Sequence, residues 1–182
     1  MQHLDDLDTP ALIVESSILA RNLARGTEAA RQAGISLRPH VKTHKCPSLA
    51  LLQTKMGACG LTVSTLEEAE AFLQEGFNDL FLAYPVVGES RLRRFAWIGR
   101  RASISCAVDH PEHVRQLSAL ARREGIDVLV RLEIDCGHHR CGLIPGPEMV
   151  QLARQVVAAP GLILEGVFTH AGHAYGAASH GQ

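Results

Sequence analysis

The chain carries almost no net charge: 18 Lys+Arg stand against 19 Asp+Glu, for −1 at pH 7. That balance removes the electrostatic case for nucleic acid or an anionic membrane surface as a partner. No stretch approaches the ~18 continuous apolar residues of a membrane-spanning helix. The opening residues, Met1-Gln2-His3-Leu4-Asp5-Asp6-Leu7-Asp8, are acidic and lack the basic and apolar regions of a secretory signal, so a cytoplasmic location is expected. No Cys-x-x-Cys occurs, and the five cysteines (Cys46, Cys59, Cys106, Cys136, Cys141) form no even framework. They are expected to be reduced thiols, mostly buried as small hydrophobes. Nowhere does Gly-x-Gly-x-x-Gly follow an expected strand, which leaves a dinucleotide-binding fold without support.

What is present is a regular alternation. Hydrophobic residues fill 46% of 182 positions, enough for a sizeable core in one domain. Thr9 to Val14 reads as a proline-led strand, and Ser16 or Ser17 can cap a helix running to about Gln32. Ile18, Leu19, Leu23 and Ala29-Ala30 fit one face of that helix. Strands are then expected at Ile35 to Val41, Gly60 to Val63, Asp79 to Ala83, Ser103 to Val108, Asp127 to Ile134 and Leu162 to Thr169. Helices are expected between them at Pro47 to Met56, Thr65 to Gln74, Ser90 to Trp97, Pro111 to Glu124 and Pro147 to Ala158. Thr65-Leu66-Glu67-Glu68 has the form of a capping box, and Gly76 and Gly125 stop their helices. Ala171 to Gln182 is a small, polar, glycine-rich tail.

Strands and helices in this order argue for βαβ units and a parallel sheet. Polar groups recur at nearly every strand end: Lys42, Thr65, Tyr84, Asp109, Asp135 with Arg140, and His170. In a parallel α/β barrel the carboxyl ends of the strands form one ring where chemistry is assembled. The densest such end is Arg38-Pro39-His40-Val41-Lys42-Thr43-His44-Lys45. A half-buried lysine there can lose its proton and attack an aldehyde as a neutral amine. The same stretch also reads as a solvated basic loop. Nine of the ten histidines cluster, as His40 with His44, His110 with His113, His138 with His139, and His170, His173 and His180. A full barrel takes about 250 residues, so six strands leave this one two short.

Several stretches, in order along the chain, carry a resemblance. They are Asp8-Thr9-Pro10-Ala11, the Arg38 to Lys45 run, Thr62-Val63-Ser64-Thr65-Leu66-Glu67-Glu68-Ala69-Glu70 and Leu82-Ala83-Tyr84-Pro85. Val108-Asp109-His110-Pro111-Glu112, Glu133-Ile134-Asp135-Cys136-Gly137-His138-His139-Arg140-Cys141-Gly142 and Gly166-Val167-Phe168-Thr169-His170-Ala171-Gly172-His173-Ala174-Tyr175 complete the set. Together they resemble the D-threonine aldolase and D-serine dehydratase group, pyridoxal-phosphate enzymes with an alanine-racemase-like barrel. The resemblance implies an incomplete (β/α)8 TIM barrel of the alanine-racemase N-terminal type, about six β/α units plus an N-terminal strand. Residues 1–182 are then a single partial pyridoxal-phosphate-binding domain. The last barrel strands and a C-terminal β domain, to which the N-terminal strand belongs, are absent.

The resemblance also implies site residues. Lys42 matches the lysine that holds pyridoxal 5'-phosphate as a Schiff base, with Lys45 as the rival. Arg140 matches the arginine near the cofactor's phenolic oxygen; its structural alternative is an ion pair with Asp135 or Glu133. His170 matches the histidine beside the ring, or is a hydrogen-bonded core histidine. Tyr175 packs on the cofactor or sits in a mobile tail. The implied activity is that of a lyase on D-β-hydroxy amino acids. Cleavage of Cα–Cβ gives glycine and an aldehyde, whereas loss of hydroxide gives a keto acid and ammonia. A divalent metal is implied for a complete protein, with no ligands in this chain; His170-x-x-His173 lacks a third ligand in reach. The expected partner is a small D-amino acid, with a homodimer in the complete protein. The alternative is a non-catalytic pyridoxal-phosphate-binding fragment or an amino-acid-racemase-like protein.

Overall fold

The structure, a computed structural model, describes residues 4–179, so His180 lies outside the described residues. After a short 3-10 turn at Leu4–Asp6 come α1 (Ser16–Gln32), a 3-10 turn at Val41–Thr43, and α2 (Pro47–Lys55). Then follow β1 (Leu61–Val63), α3 (Leu66–Gln74), β2 (Asp79–Pro85), α4 (Glu89–Gly99), β3 (Ser103–Val108) and α5 (Pro111–Glu124). The chain continues with β4 (Val128–Ile134), α6 (Pro147–Ala158), β5 (Leu162–Thr169) and a 3-10 turn at Gly172–Gly176. The five strands form one sheet in sequence order, and all four pairings are parallel. No helix among the described residues is long and apolar enough to cross a membrane.

Strand alternation separates two faces. Leu61, Val63, Leu80, Leu82, Ile104, Cys106, Val108, Val128, Val130 and Leu132 point to the helices. They pack with Phe72 of α3, Phe95 and Ile98 of α4, Leu117 and Leu120 of α5, and Leu152 and Val156 of α6. The other face is polar and curled. Phe81 of β2 meets Phe168 of β5 edge-on, with ring centroids 4.8 Å apart, although β3 and β4 lie between their strands. Small buried residues on β3, Ser105 and Ala107, leave the space for that contact. The Arg131 guanidinium covers the Phe81 ring at 4.5 Å and pairs with Glu165 at 3.0 Å. The sheet is therefore the bent wall of a partial barrel rather than an open twisted plane.

Helix ends follow local chemistry. Pro111 and Pro147 occupy first-turn positions where their missing N–H is harmless. Gly125 takes φ 62, the left-handed conformation that ends α5. The Thr65 hydroxyl accepts from Glu68 N at 3.1 Å, but Glu68 itself turns to Ser64 N at 2.8 Å. Only half of the expected capping box forms.

Four expectations are corrected. The Thr9 to Val14 strand is not formed; Leu12, Ile13 and Val14 are exposed and pair with no strand among the described residues. An isolated strand has nothing to bond to. The expected Ile35 to Val41 strand is an extended segment that ends at His40, Val41 already opening the 3-10 turn, and it shares with β1 a single parallel bridge, His40 with Thr62. Leu37 O and Pro39 O accept from Cys59 N and Thr62 N, but Pro39 has no N–H for a return bond. The barrel thus has five laddered strands and an extended segment in the sixth place. Next, Glu15 caps α1 rather than a serine: its carboxylate reaches Ser17 N at 2.9 Å and Ile18 N at 3.3 Å. Of that helix's expected apolar face only Ala30 is buried, and Ile18 is exposed. Finally, Cys59, Cys136 and Cys141 are exposed, and Cys106 alone is buried. All five stay free, but most are not core thiols.

Candidate active site

At the carboxyl ends of the strands lies a cavity of about 470 Å³. Phe81 and Phe168 form its floor, Thr62, Ser64 and Glu133 its walls, and Lys42, Arg140 and His170 its rim. Three of the four residues singled out from the sequence therefore meet. Tyr175 does not line the cavity; it is exposed, with its ring 6.0 Å from that of His170. A second cavity, about 630 Å³, opens at the base of the sheet. Two of its four arginines tie neighbouring segments together: Arg38 holds Asp79 of β2 through two bonds of 2.8 and 2.9 Å, and Arg131 of β4 holds Glu165 of β5. Gly60 allows the first of these pairs, since a Cβ there would stand 2.1 Å from Arg38 Nη1.

The two lysines of the basic stretch have different fates. Lys45 adopts φ 49 and brings its Nζ within 3.3 Å of Glu68 Oε1. Burial alone would raise the Glu68 carboxyl, but the Ser64 N–H, the Ser64 hydroxyl and Lys45 outweigh it and hold the group below the usual range. Lys42, on the 3-10 turn just beyond the extended segment, forms no ion pair among the described residues and is exposed at the rim. His40 caps this turn and also faces the cavity. Burial, and then the charge of Lys42, push the His40 imidazole below its ordinary value. For His170, burial acts first and the charges of Arg140 and Lys42 add to it, again downward. Both shifts favour the neutral imidazole.

Arg140 sits on a loop folded back onto β4. Leu143 N donates to Glu133 O and Asp135 N donates to Leu143 O, each at 3.0 Å. Asp135 Oδ1 accepts from Gly137 N at 2.9 Å and His139 N at 3.0 Å. Gly142 N donates to Asp109 Oδ2 at 2.8 Å. At φ 95, with Asp135 N only 2.7 Å from where a Cβ would stand, position 142 admits glycine alone. The bonds from Gly137 and His139 bring the Asp135 carboxyl down to about 2 from 3.8. A lowered carboxyl contributes stability above its unfolded value and loses it as pH falls through its folded value. The loop's tie is thus complete above pH 3.8 and lost towards about 2. The stability of Asp135→Asn, followed by urea unfolding, is expected to fall less steeply than wild type in that window. Parallel curves would show that Asp135 does not close the loop.

Of the two carboxylates expected as alternatives for pairing Arg140, Glu133 is the one beside it, while Asp135 pairs with His139. Glu133 is 4% exposed, and its side chain stands 3.9 Å from Arg140 Nη2. Burial, and then the charge of Asp109, raise its carboxyl. The available signal was the alternation Arg131, Glu133 against Val130, Leu132, which places two charged groups on the inner face of an otherwise apolar strand. Phe81 and Phe168 carried no such signal, because their meeting depends on the bend of the sheet.

Residues 14–182 match the sequence profile described as "Alanine racemase, N-terminal domain". The chain belongs to this family. Among relatives, it is 32% identical over 166 residues to a D-threonine aldolase of Arthrobacter sp, covering 91% of this chain and 44% of the aldolase. It is 36% identical over 171 residues to a D-threo-3-hydroxyaspartate dehydratase of Delftia sp., covering 93% of this chain and 45% of the dehydratase. A crystal structure of D-threonine aldolase from Filomicrobium marinum superposes with a TM-score of 0.87 at 36% identity, over 90% of this chain and 44% of that one. The chain spans somewhat less than half the length of these relatives. Its curled parallel sheet with alternating helices is the alanine-racemase-like α/β fold, and the corrections to its first two segments leave that fold intact.

Proposed function

We propose that this chain is the pyridoxal-phosphate-binding barrel half of a lyase for D-β-hydroxy amino acids, of the D-threonine aldolase or D-serine dehydratase type. One observation carries the reading: of the two lysines in the basic stretch, only Lys42 lines the cavity, with its amine in no ion pair among the described residues. The residues fit the cofactor. A primary amine is what an aldehyde carbon requires. The guanidinium of Arg140 suits an anionic phenolic oxygen, and the aromatic floor suits a flat ring. Bound pyridoxal phosphate supplies an electron sink for charge developing at a substrate α-carbon.

The protein's own groups then act around it. Lys42 holds the cofactor, and Arg140 orients it. Phe81 and Phe168 keep water from below. His170, whose shift favours the neutral imidazole, offers a ring nitrogen on the rim that can accept a proton. A divalent metal fits less well. Asp109, Glu133 and Cys141 bring one donor atom each within 4.8 Å of one another. Asp109, however, is engaged by Gly142 N and His113, and Glu133 faces Arg140. They do not form a free donor set, and no step is derived through a metal.

A second reading, binding without turnover, is favoured by the open side of the cavity between β5 and the Ile35 segment, where no strand lies among the described residues. One experiment separates the two. The chain is mixed with pyridoxal phosphate, a divalent metal, and D-threonine or D-serine, and glycine, aldehyde and keto acid are assayed. This 182-residue chain is expected to label stoichiometrically and turn over little, because one side of its site lacks a wall. Sustained product formation, lost in Lys42→Ala, would overturn that expectation and establish the lyase in this chain.

A further inference from the structure

The geometry points to Glu133 as the positioning residue for Arg140: its buried carboxylate sets where the guanidinium stands on the cavity wall. This rests on the proposed role of Arg140 at the cofactor.

Three carboxylates lie near the Arg140 loop. Asp135 is taken up by the N–H groups of Gly137 and His139 and by the His139 ring at 2.8 Å. Asp109 is taken up by Gly142 N at 2.8 Å and His113 Nδ1 at 3.2 Å. Glu133 accepts no hydrogen bond among the described residues, and its one cation there is Arg140. A carboxylate buried without a partner is costly, and burial beside one cation ties the two together. The constraint is asymmetric. Glu133 is fixed on a central strand with its side chain 4% exposed, whereas Arg140 rides on a loop with 49% of its side chain exposed. The strand residue is therefore the anchor, and the loop residue is what it holds. Both line the same cavity, unlike the surface pairs Arg31–Glu28 and Arg115–Glu112.

The 3.9 Å separation is an ion pair without a hydrogen bond. Charge rather than shape is what Glu133 contributes, so Glu133→Gln, which keeps the shape, is the informative change. Two measurements decide the matter. In the ligand-free chain, the rate at which phenylglyoxal modifies Arg140 is followed by peptide mass. Glu133→Gln is expected to raise it several-fold, while Arg94, clamped by Glu67 and Glu70, serves as an unchanged internal reference. In the second, pyridoxal-phosphate dissociation constants are compared for wild type, Glu133→Gln, Arg140→Ala and the double variant. Each single change is expected to weaken binding several-fold, and the double variant is expected to be no weaker than Arg140→Ala. An unchanged modification rate, or additive losses in the double variant, would overturn the proposal. Should wild type take up no pyridoxal phosphate, the functional reading fails, and the phenylglyoxal rate still decides the Glu133–Arg140 relation.

Discussion

Replacing Lys42 by alanine is expected to abolish the near-visible absorbance that the protein develops with pyridoxal phosphate, while Lys45→Ala keeps it. The two amines are three positions apart and chemically identical, so their surroundings decide. The Lys45 amine lies 3.3 Å from a buried carboxylate that also accepts from Ser64 N and Oγ at 2.8 and 2.9 Å. Its attraction to Glu68 opposes any reaction that removes its charge. Lys42 has no such tie and lies on the cavity. Lys45→Ala has its own signature: Glu68 loses its cation, at a cost of about 1–3 kcal/mol in stability. The measurement is an absorbance titration beside a urea melt for each variant. Absorbance kept in Lys42→Ala and lost in Lys45→Ala would reverse the assignment.

The second large effect concerns the face that positions the site. Phe95 of α4 is 1% exposed and is among the largest fully buried side chains. Phe95→Ala is expected to cost about 3–5 kcal/mol, from lost transfer energy and the cavity left behind. Against a total of roughly 5–15 kcal/mol for a domain, that brings the chain close to unfolding. Trp97 on the same helix is the comparison. It is 40% exposed, and its ring is covered by the Arg101 guanidinium at 4.2 Å. Trp97→Ala is expected to cost about 1 kcal/mol or less, since little core is lost. Urea unfolding monitored by circular dichroism separates them. Equal losses would mean that the helix-facing core is not what holds the sheet.

The elements legible from sequence were those whose limits are local. α5, α6, β3 and β5 begin and end as expected, because Pro111 and Pro147 start helices and Gly125 and Gly161 reverse the chain. What failed was tertiary. Whether Leu12 to Val14 or Ile35 to Val41 is a strand depends on a neighbour, and periodicity within a segment does not report one. The cap of α1 went to Glu15 because its longer side chain reaches back over two N–H groups, where serines were favoured on average. Motif resemblance singled out Lys42, Arg140 and His170, which the structure brings to one cavity. Glu133 entered only as one of two possible ion-pair partners of Arg140, and its burial on the cavity follows from the bend of the sheet.

That bend has a consequence for reactivity. Lys42 follows the segment outside β1 and His170 follows β5, so the two stand at opposite margins of the sheet. No ladder among the described residues links one margin to the other; the Phe81–Phe168 contact joins β2 to β5 across the inside of the bend instead. At about 4.8 Å per strand spacing, the margins of a five-stranded sheet are roughly 19 Å apart along its surface. A change of about 5° in its bend, acting over that lever, displaces one margin by roughly 1.7 Å relative to the other. Displacements of about 1 Å can alter a reaction rate on the order of a hundredfold. The aromatic floor is the contact that bears on that bend. Substitutions there would reset the opening between the Lys42 amine and the His170 imidazole without touching either group.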